Sequence, residues 1–474
     1  MKKTKIVCTL GPASSSEKII TEMALKGMDV ARLNMSHANH DKTVEIIGIV
    51  KKVRKKLGRP IAILADLQGP RIRTGKVEGG KVELRKGSVV LLNNKNDFTG
   101  SSKEFSILYP PLTKELKKGD SVFIDGGLIE LKIEGKEGGK LVTEVMAGGV
   151  LQDHKGVNLP NANITLPSIT PKDSRDLRFL KKQGVDYVAQ SFVRFASDVE
   201  KLKKIVSGWK NKPRVIAKIE TAKALDEIDS IISASDGIMV ARGDLGVELK
   251  PEEVPIVQKN LIKKCNLAYK PVITATQMLE SMIQNPVPTR AEASDVANAV
   301  FDGSDAVMLS GETAVGKYPI DTVEMMATIA RKAESVLQHS PRQFFELEHR
   351  TQKESITEAI SSAVTQTAVH LRAKLIVAHT TRGFTARLIS KHKPPQKIIA
   401  FTPNETVYQQ CALLWGVEPV LLHKPSDLVD FTRRAQKYLL EKKMVEKGDV
   451  IVITAGIPFE TGITTNVLKV HVIS

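Results

Sequence analysis

Eight short, nearly unbroken apolar runs in the first two-thirds of the chain leave few folds open. They are TKIVCTLG (4–11), DVARLNMS (29–36), IAILADLQ (61–68), DYVAQSFV (186–193), RVIAKIET (214–221), GIMVARGD (237–244), PVITATQM (271–278) and AVMLSGET (306–313). Strands this apolar belong to a parallel sheet covered on both faces. Amphipathic Lys/Glu-rich stretches such as SEKIITEMALKG, SDVEKLKKIVSG and PEEVPIVQKNLIKKCNLA separate them. Eight β–α alternations predict an α/β chain built on a (β/α)8 barrel.

The rhythm breaks after the third run. Between about Pro70 and Pro167 the text turns to Gly-punctuated, alternating strands: KVELRKGSVVLL, GDSVFIDGGLIELKIEG, KLVTEVMAGG. We expect residues 1–69 and 168–338 to form the catalytic barrel and residues 70–167 an inserted β-barrel domain, hung on two short connections and able to close as a lid. HSPRQFFELEHRTQ reads as a linker. Residues 339–474 read as a C-terminal α/β domain for regulation or oligomerisation, with strands in LIVAHT, IIAFT, DVIVITAG and VLKVHVI.

Composition excludes several classes. No run approaches the roughly 20 apolar residues of a membrane span. The basic start MKKTKIVCTLGP has too short an apolar run for a signal peptide, and reads as a first strand. Cys8, Cys265 and Cys411 are scattered without CxxC spacing, as expected for reduced thiols in a cytoplasmic protein. The net charge of +17 raises nucleic-acid binding, but the lysines are dispersed and aromatics make up only 4%. Single-strand binders need aromatic platforms, so a basic surface that attracts small anionic substrates is the better reading, with no nucleic acid and no membrane as partners.

In a (β/α)8 barrel, chemistry sits at the C-terminal ends of the strands. Those ends carry Arg32, Asn34, Ser36 and His37; Asp66; Lys218 and Glu220; Arg242, Gly243 and Asp244; Thr274, Thr276 and Gln277; Ser310 and Glu312. Lys218 and Glu220, two apart on a strand, share one face about 7 Å apart. Glu220 and Asp244 on neighbouring strands make a carboxylate pair suited to Mg2+ or Mn2+ with positions left for substrate. The competing reading is a pair of rim carboxylates in salt bridges with Arg242 or Lys218. A lysine beside such a metal suits negative charge on a transferring phosphoryl group, and Gly243 lets backbone N–H groups approach an anion.

The motifs CTLGPAS (8–14), ARLNMSH (31–37), KIET (218–221), ARGDLGVE (241–248), ITATQMLESM (273–282), PTRAEASDVANAVFDGSDAVMLSGETAVGKYP (288–319) and the ending KVHVIS are similar to those of pyruvate kinases, in order and essentially end to end. The resemblance implies phosphoryl transfer from phosphoenolpyruvate to ADP, giving pyruvate and ATP. It implies that Lys218 stabilises the transferring phosphoryl group and that Glu220 and Asp244 hold the divalent metal. Amides around Gly243 and Asp244, with the Thr276 hydroxyl, would fix the substrate carboxylate, and Thr276 or a water would protonate the enolate. Arg32 and Arg73 would contact phosphates, Lys155 would reach the nucleotide from the lid, and Thr9, Pro12 and His37 would lie near the ADP site. A homotetramer is also implied.

The chain departs from that pattern in places. The family's K+ positions correspond to Asn34, Ser36, Asp66 and Leu67, where the last is usually Thr and a nearby residue Glu. Here ADLQGPRIRTG places Leu67 and Arg71 instead. We therefore expect activity without K+, a fixed guanidinium supplying the charge with Asp66 as its partner. The lid segment IDGGL (124–128) has one Asp where the family often has two. In the C-terminal part, TTRGFTA (380–386) reads either as a phosphate-binding turn for a phosphorylated allosteric effector, with Thr380, Thr381, Arg382, Gly383 and Thr385 as contacts, or as an ordinary strand-to-helix turn. With the last residue at Ser474, we expect no counterpart of the extra C-terminal domain of some bacterial relatives. The alternative enzyme is a metal-dependent, enolate-stabilising lyase or aldolase on the same barrel.

Overall fold

The computed structural model describes residues 2–160, 162, 164–337, 352–459 and 465–474, with backbone alone at 37 and 352–355. The expected linker, with most of its residues in 338–351, lies outside the described residues.

All eight apolar runs form strands: β1 (Lys5–Leu10), β2 (Val30–Asn34), β3 (Ala62–Asp66), β4 (Tyr187–Gln190), β5 (Arg214–Ile219), β6 (Gly237–Ala241), β7 (Val272–Ala275) and β8 (Ala306–Leu309). They close into one barrel in sequential order, each parallel to its neighbours. The strands are shorter than the apolar runs because the last residues of each run leave the ladder and turn into the mouth loops. Gly243 and Asp244, for example, belong to a short helix, Arg242–Glu248. Helices between strands start at side-chain caps: Ser16 accepts from Ile19 N, and Thr170 and Thr289 make capping boxes.

Inward and outward residues alternate. Val7, Val30, Leu64, Ala189, Ile216, Met239 and Ile273 fill the barrel, while Cys8, Ala31, Ile63, Val188 and Val215 pack beneath the helices. The lower end is plugged from the C-terminal part of the chain. Ala412 and Leu413 join the interior cluster, and Tyr187 Oη donates to the Gln410 carbonyl at 2.6 Å.

The segment inserted after β3 has its own core, from Ile72 to Leu159. It is a seven-stranded sheet with two smaller strand pairs and a short helix, Leu112–Glu115. Its edges meet at the antiparallel bridge Thr74–Ile107, flanked by Leu108 N to Arg73 O and Gly75 N to Ser106 O, both 2.8 Å, so the sheet curls back on itself. Both connections are tied to the barrel. Gly69 has φ +67°, and a Cβ there would lie 2.9 Å from the Ser191 carbonyl. On the return, Arg194 donates to the carbonyls of Ile164 and Leu166.

The C-terminal sheet contains β9 (Leu375–His379), β10 (Lys397–Thr402), β11 (Val417–Leu421), β12 (Val450–Ala455) and β13 (Val467–Val472), in the order β11-β10-β9-β12-β13 with β13 antiparallel. The sequence reading missed β11, whose VEPVL carries a Glu and a Pro that mute the strand signal.

Candidate active site

Alternation carried one step past the packed interior predicts what faces the barrel mouth. Above Val7 comes Thr9; above Val30, Arg32; above Leu64, Asp66; above Ala189, Ser191; above Ile216, Lys218 and then Glu220. These six make one bonded network. Arg32 places Nε 2.8 Å and Nη2 2.7 Å from Asp66 Oδ2, and its Nη1 donates to Thr9 Oγ1 at 2.8 Å. Lys218 Nζ lies 3.2 Å from Asp66 Oδ1, 2.8 Å from Glu220 Oε1 and 2.7 Å from Ser191 Oγ. Ser191 Oγ in turn donates to the Leu67 carbonyl at 2.7 Å. Phe192, held at φ +54°, donates its N–H to Glu220 Oε2 at 2.7 Å.

Electrostatics follow from this geometry. Burial opposes charge on Lys218, but Asp66 and Glu220 outweigh it and hold the ammonium above its ordinary range. Burial likewise works against charge on Asp66, and Lys218 with Arg32 overcomes it, so that carboxyl is held below its usual range. Glu220 is raised: burial dominates, Lys218 only partly offsets it, and Asp244 adds like-charge repulsion. Glu248, buried against Ala222 N and Asn158, is raised too, first by burial, with Asp244 and Glu220 adding to it.

Across the mouth, Thr276 and Gln277 have φ +71° and +52°. A β-branched residue in the left-handed region is strained, and such strain concentrates at functional sites. Thr276 Oγ1 accepts from Gly243 N at 2.8 Å and donates to the Ala275 carbonyl. Of the lid residues, Arg73 Nη1 donates to the His154 carbonyl and Lys155 pairs with Asp125, the single Asp of IDGGL, at 2.9 Å. Pro12 begins a one-turn helix directly after β1, and His37 ends another after β2.

Several expectations are corrected. Asp66 is not the partner of Arg71: Arg32 and Lys218 fill it, and Arg71 instead approaches Asp244 at 4.0 Å. Arg242 pairs with Asp295 and not with Glu220 or Asp244. Not every polar strand end reaches the mouth. Thr274 is buried against Ser304, and Glu312 accepts from the backbone of Leu279 and Ser310, both holding loops in place. The Lys218–Glu220 ion pair, the competing reading of those charges, is present. Among the described residues no group of three or more His, Cys, Asp or Glu gathers as a metal cluster. The sequence reading missed Ser191 and Phe192. The period-two register of β4 points to Ser191, whereas the role of Phe192 rests on a backbone N–H that carries no residue signature.

The family model described as "Pyruvate kinase, barrel domain" matches residues 1–323, and "Pyruvate kinase, alpha/beta domain" matches residues 358–471. The chain belongs to the pyruvate kinase family. Proteins named pyruvate kinase from Staphylococcus saprophyticus and Geobacillus stearothermophilus are each 46% identical over 100% of this chain and 81% of their own length. A crystal structure of a pyruvate kinase from Cryptosporidium parvum superposes with TM-score 0.92 at 36% identity, covering 100% of this chain and 96% of that one. The activity is phosphoryl transfer between phosphoenolpyruvate and ADP, and nothing supports the lyase or aldolase alternative. The family generally uses a divalent metal. Among the described residues no helix is long and apolar enough to cross a membrane.

Proposed function

We propose that the network at the barrel mouth carries out this transfer, with Lys218 as the central catalytic group. The observation behind this reading is the placement of one ammonium, 8% exposed, among Asp66, Glu220 and Ser191, with Arg32 alongside. As the bond from phosphorus to the enol oxygen breaks and one to a β-phosphate oxygen of ADP forms, negative charge spreads over the phosphoryl oxygens. A fixed ammonium and guanidinium stabilise that charge without reorganising. The remaining enolate takes a proton at carbon to become pyruvate, and Thr276, beside Gly243, is placed to hold or relay it. Arg73 and Lys155 would meet the nucleotide from the lid, with Thr9, Pro12 and His37 beside it.

Glu220 and Asp244 fit a divalent ion, Mg2+ or Mn2+. Glu220 is a buried carboxylate raised by burial and by Asp244, a penalty that a cation relieves. Bound there, the ion would supply positive charge against the substrate's oxygens.

K+ independence is supported by the oxygen set. Asn34 Oδ1 already accepts from Ser36 N, Leu67 offers only a carbonyl held by Ser191, and the Arg71 guanidinium stands by Asp244. Activity in K+-free buffer within about twofold of that with K+ is expected; manyfold activation by K+ overturns this part. Domain limits near 69/70 and 167/168 are supported by the separate cores, and the limit near 338/339 lies outside the described residues. A cytoplasmic setting fits three buried free thiols, and the homotetramer and a phosphorylated effector at Thr380–Thr385 rest on family likeness.

The test is an ATP-production assay on wild type and Lys218→Met. We expect kcat to fall by roughly 10²–10³-fold or more; undiminished turnover refutes the assignment.

A further inference from the structure

The short helix Arg242–Glu248, which carries Gly243 and Asp244 into the mouth, ends on an acid. A carboxylate at a helix C-terminus opposes the helix dipole, and Asp244 and Glu220 are near enough to add like charge. Glu248 is therefore not there for the sake of the helix. Its two oxygens serve separate segments. Oε2 accepts from Ala222 N at 2.8 Å, just beyond Glu220, and Oε1 accepts from Asn158 Nδ2 of the lid at 3.4 Å. One side chain thus joins the loop after Glu220, the helix of Asp244 and the inserted domain.

Asn158 ends the lid strand Gly156–Asn158. Lys155 immediately precedes that strand, and Gly156 pairs with Arg73 on the adjoining one. Both lid side chains assigned to the nucleotide are therefore carried by this strand and its neighbour. Other contacts between the lid and the helix are slight. Arg71 comes only to 4.0 Å from Asp244 Oδ1, and a Cβ on Gly127 would lie 3.6 Å from Val247 Cγ1. A crevice lies at the contact, lined by Arg71, Val157 and Asn158 on the lid side and by Phe192, Thr221 and Glu248 on the barrel side. Apolar packing does not close the lid here, and a hydrogen bond of 3.4 Å has room to shorten.

We propose that Glu248 is a positioning residue that seats the lid strand Gly156–Asn158 against the loop after Glu220, and so places Lys155 and Arg73 for ADP. The bond to Ala222 N fixes where the carboxylate stands, and the bond to Asn158 draws the lid to it. This role rests on the reading of Lys155 and Arg73 as nucleotide contacts.

The test is an exchange of donor and acceptor, read by steady-state kinetics. Asn158→Asp sets two carboxylates face to face and should raise KM for ADP about tenfold or more. Calorimetric binding of phosphoenolpyruvate with Mn2+ should stay within about twofold of wild type. Adding Glu248→Gln restores the bond with its direction reversed, the glutamine oxygen still accepting from Ala222 N, and should recover most of the loss. An unchanged KM in Asn158→Asp, no recovery in the double variant, or equal recovery with Glu248→Ala overturns the proposal. A matching loss of phosphoenolpyruvate binding also overturns it, because that marks general damage to the mouth. If Asn158→Asp does not fold, Asn158→Ala removes the donor alone, and an unchanged KM for ADP there refutes the role. Lys155→Ala, measured alongside, keeps the two readings apart. An unchanged KM for ADP in that variant fails the nucleotide assignment; a raised one with no response at Asn158 fails the role of Glu248 alone.

Discussion

The two ends of the barrel both bury cations, and they treat them differently. At the mouth, Arg32 and Lys218 face Asp66 and Glu220, and every one of these charges has a partner within 3.2 Å. At the floor, Lys203 takes Asp236, while Arg387 has a buried Nε without a hydrogen-bond partner and, among the described residues, no ion pair. A balanced network holds its groups rigid before substrate arrives, as electrostatic catalysis requires. An unbalanced one leaves a desolvated charge without compensation.

Three experiments break or sharpen this contrast. Asp66→Ala leaves Lys218 and Arg32 buried with Glu220 alone, so urea unfolding should show a loss of about 3–5 kcal/mol. A loss no larger than for a surface substitution would mean the mouth is not a coupled network.

Asp186, at the floor beneath β4, comes next. Burial pushes its carboxyl up to about 6, against the pull of Arg54. The folded state therefore holds this proton more tightly than the unfolded one. The stabilisation is present below about pH 4 and fades as pH rises through about 6, a change of order 2–3 kcal/mol. Melting profiles of wild type and Asp186→Asn across that window should converge towards low pH and separate as it rises; parallel profiles contradict the assignment.

The smallest effect is expected at Arg387. Arg387→Gln should change stability by less than about 1 kcal/mol, because it removes a charge that forms no ion pair among the described residues. A large loss would show that the floor is paired after all, and the contrast between the two ends would fall.

Much of the mouth was legible because strand periodicity is local. Lys218 and Glu220 two apart on an apolar strand had to share a face, and Arg32 and Asp66 follow from the same alternation above Val30 and Leu64. The same pattern missed Phe192, which acts through its N–H, and misjudged Thr274 and Glu312, whose orientation depends on loops beyond the ladder. The pairing of Arg71 was also misjudged. Two nearer cations fill Asp66, and proximity in sequence says nothing about that competition.

By itself, then, the sequence determined the eight-stranded barrel, the inserted β segment, the family and the residues of the mouth, because each is written in short-range periodicity or contiguous motifs. Tertiary structure alone decided which charges neutralise one another. Arg214 and Arg387 lie far apart along the chain and meet only when the helix Phe384–Lys391 docks beneath β5. Coulomb energy depends on that distance and on burial, neither of which a linear pattern encodes.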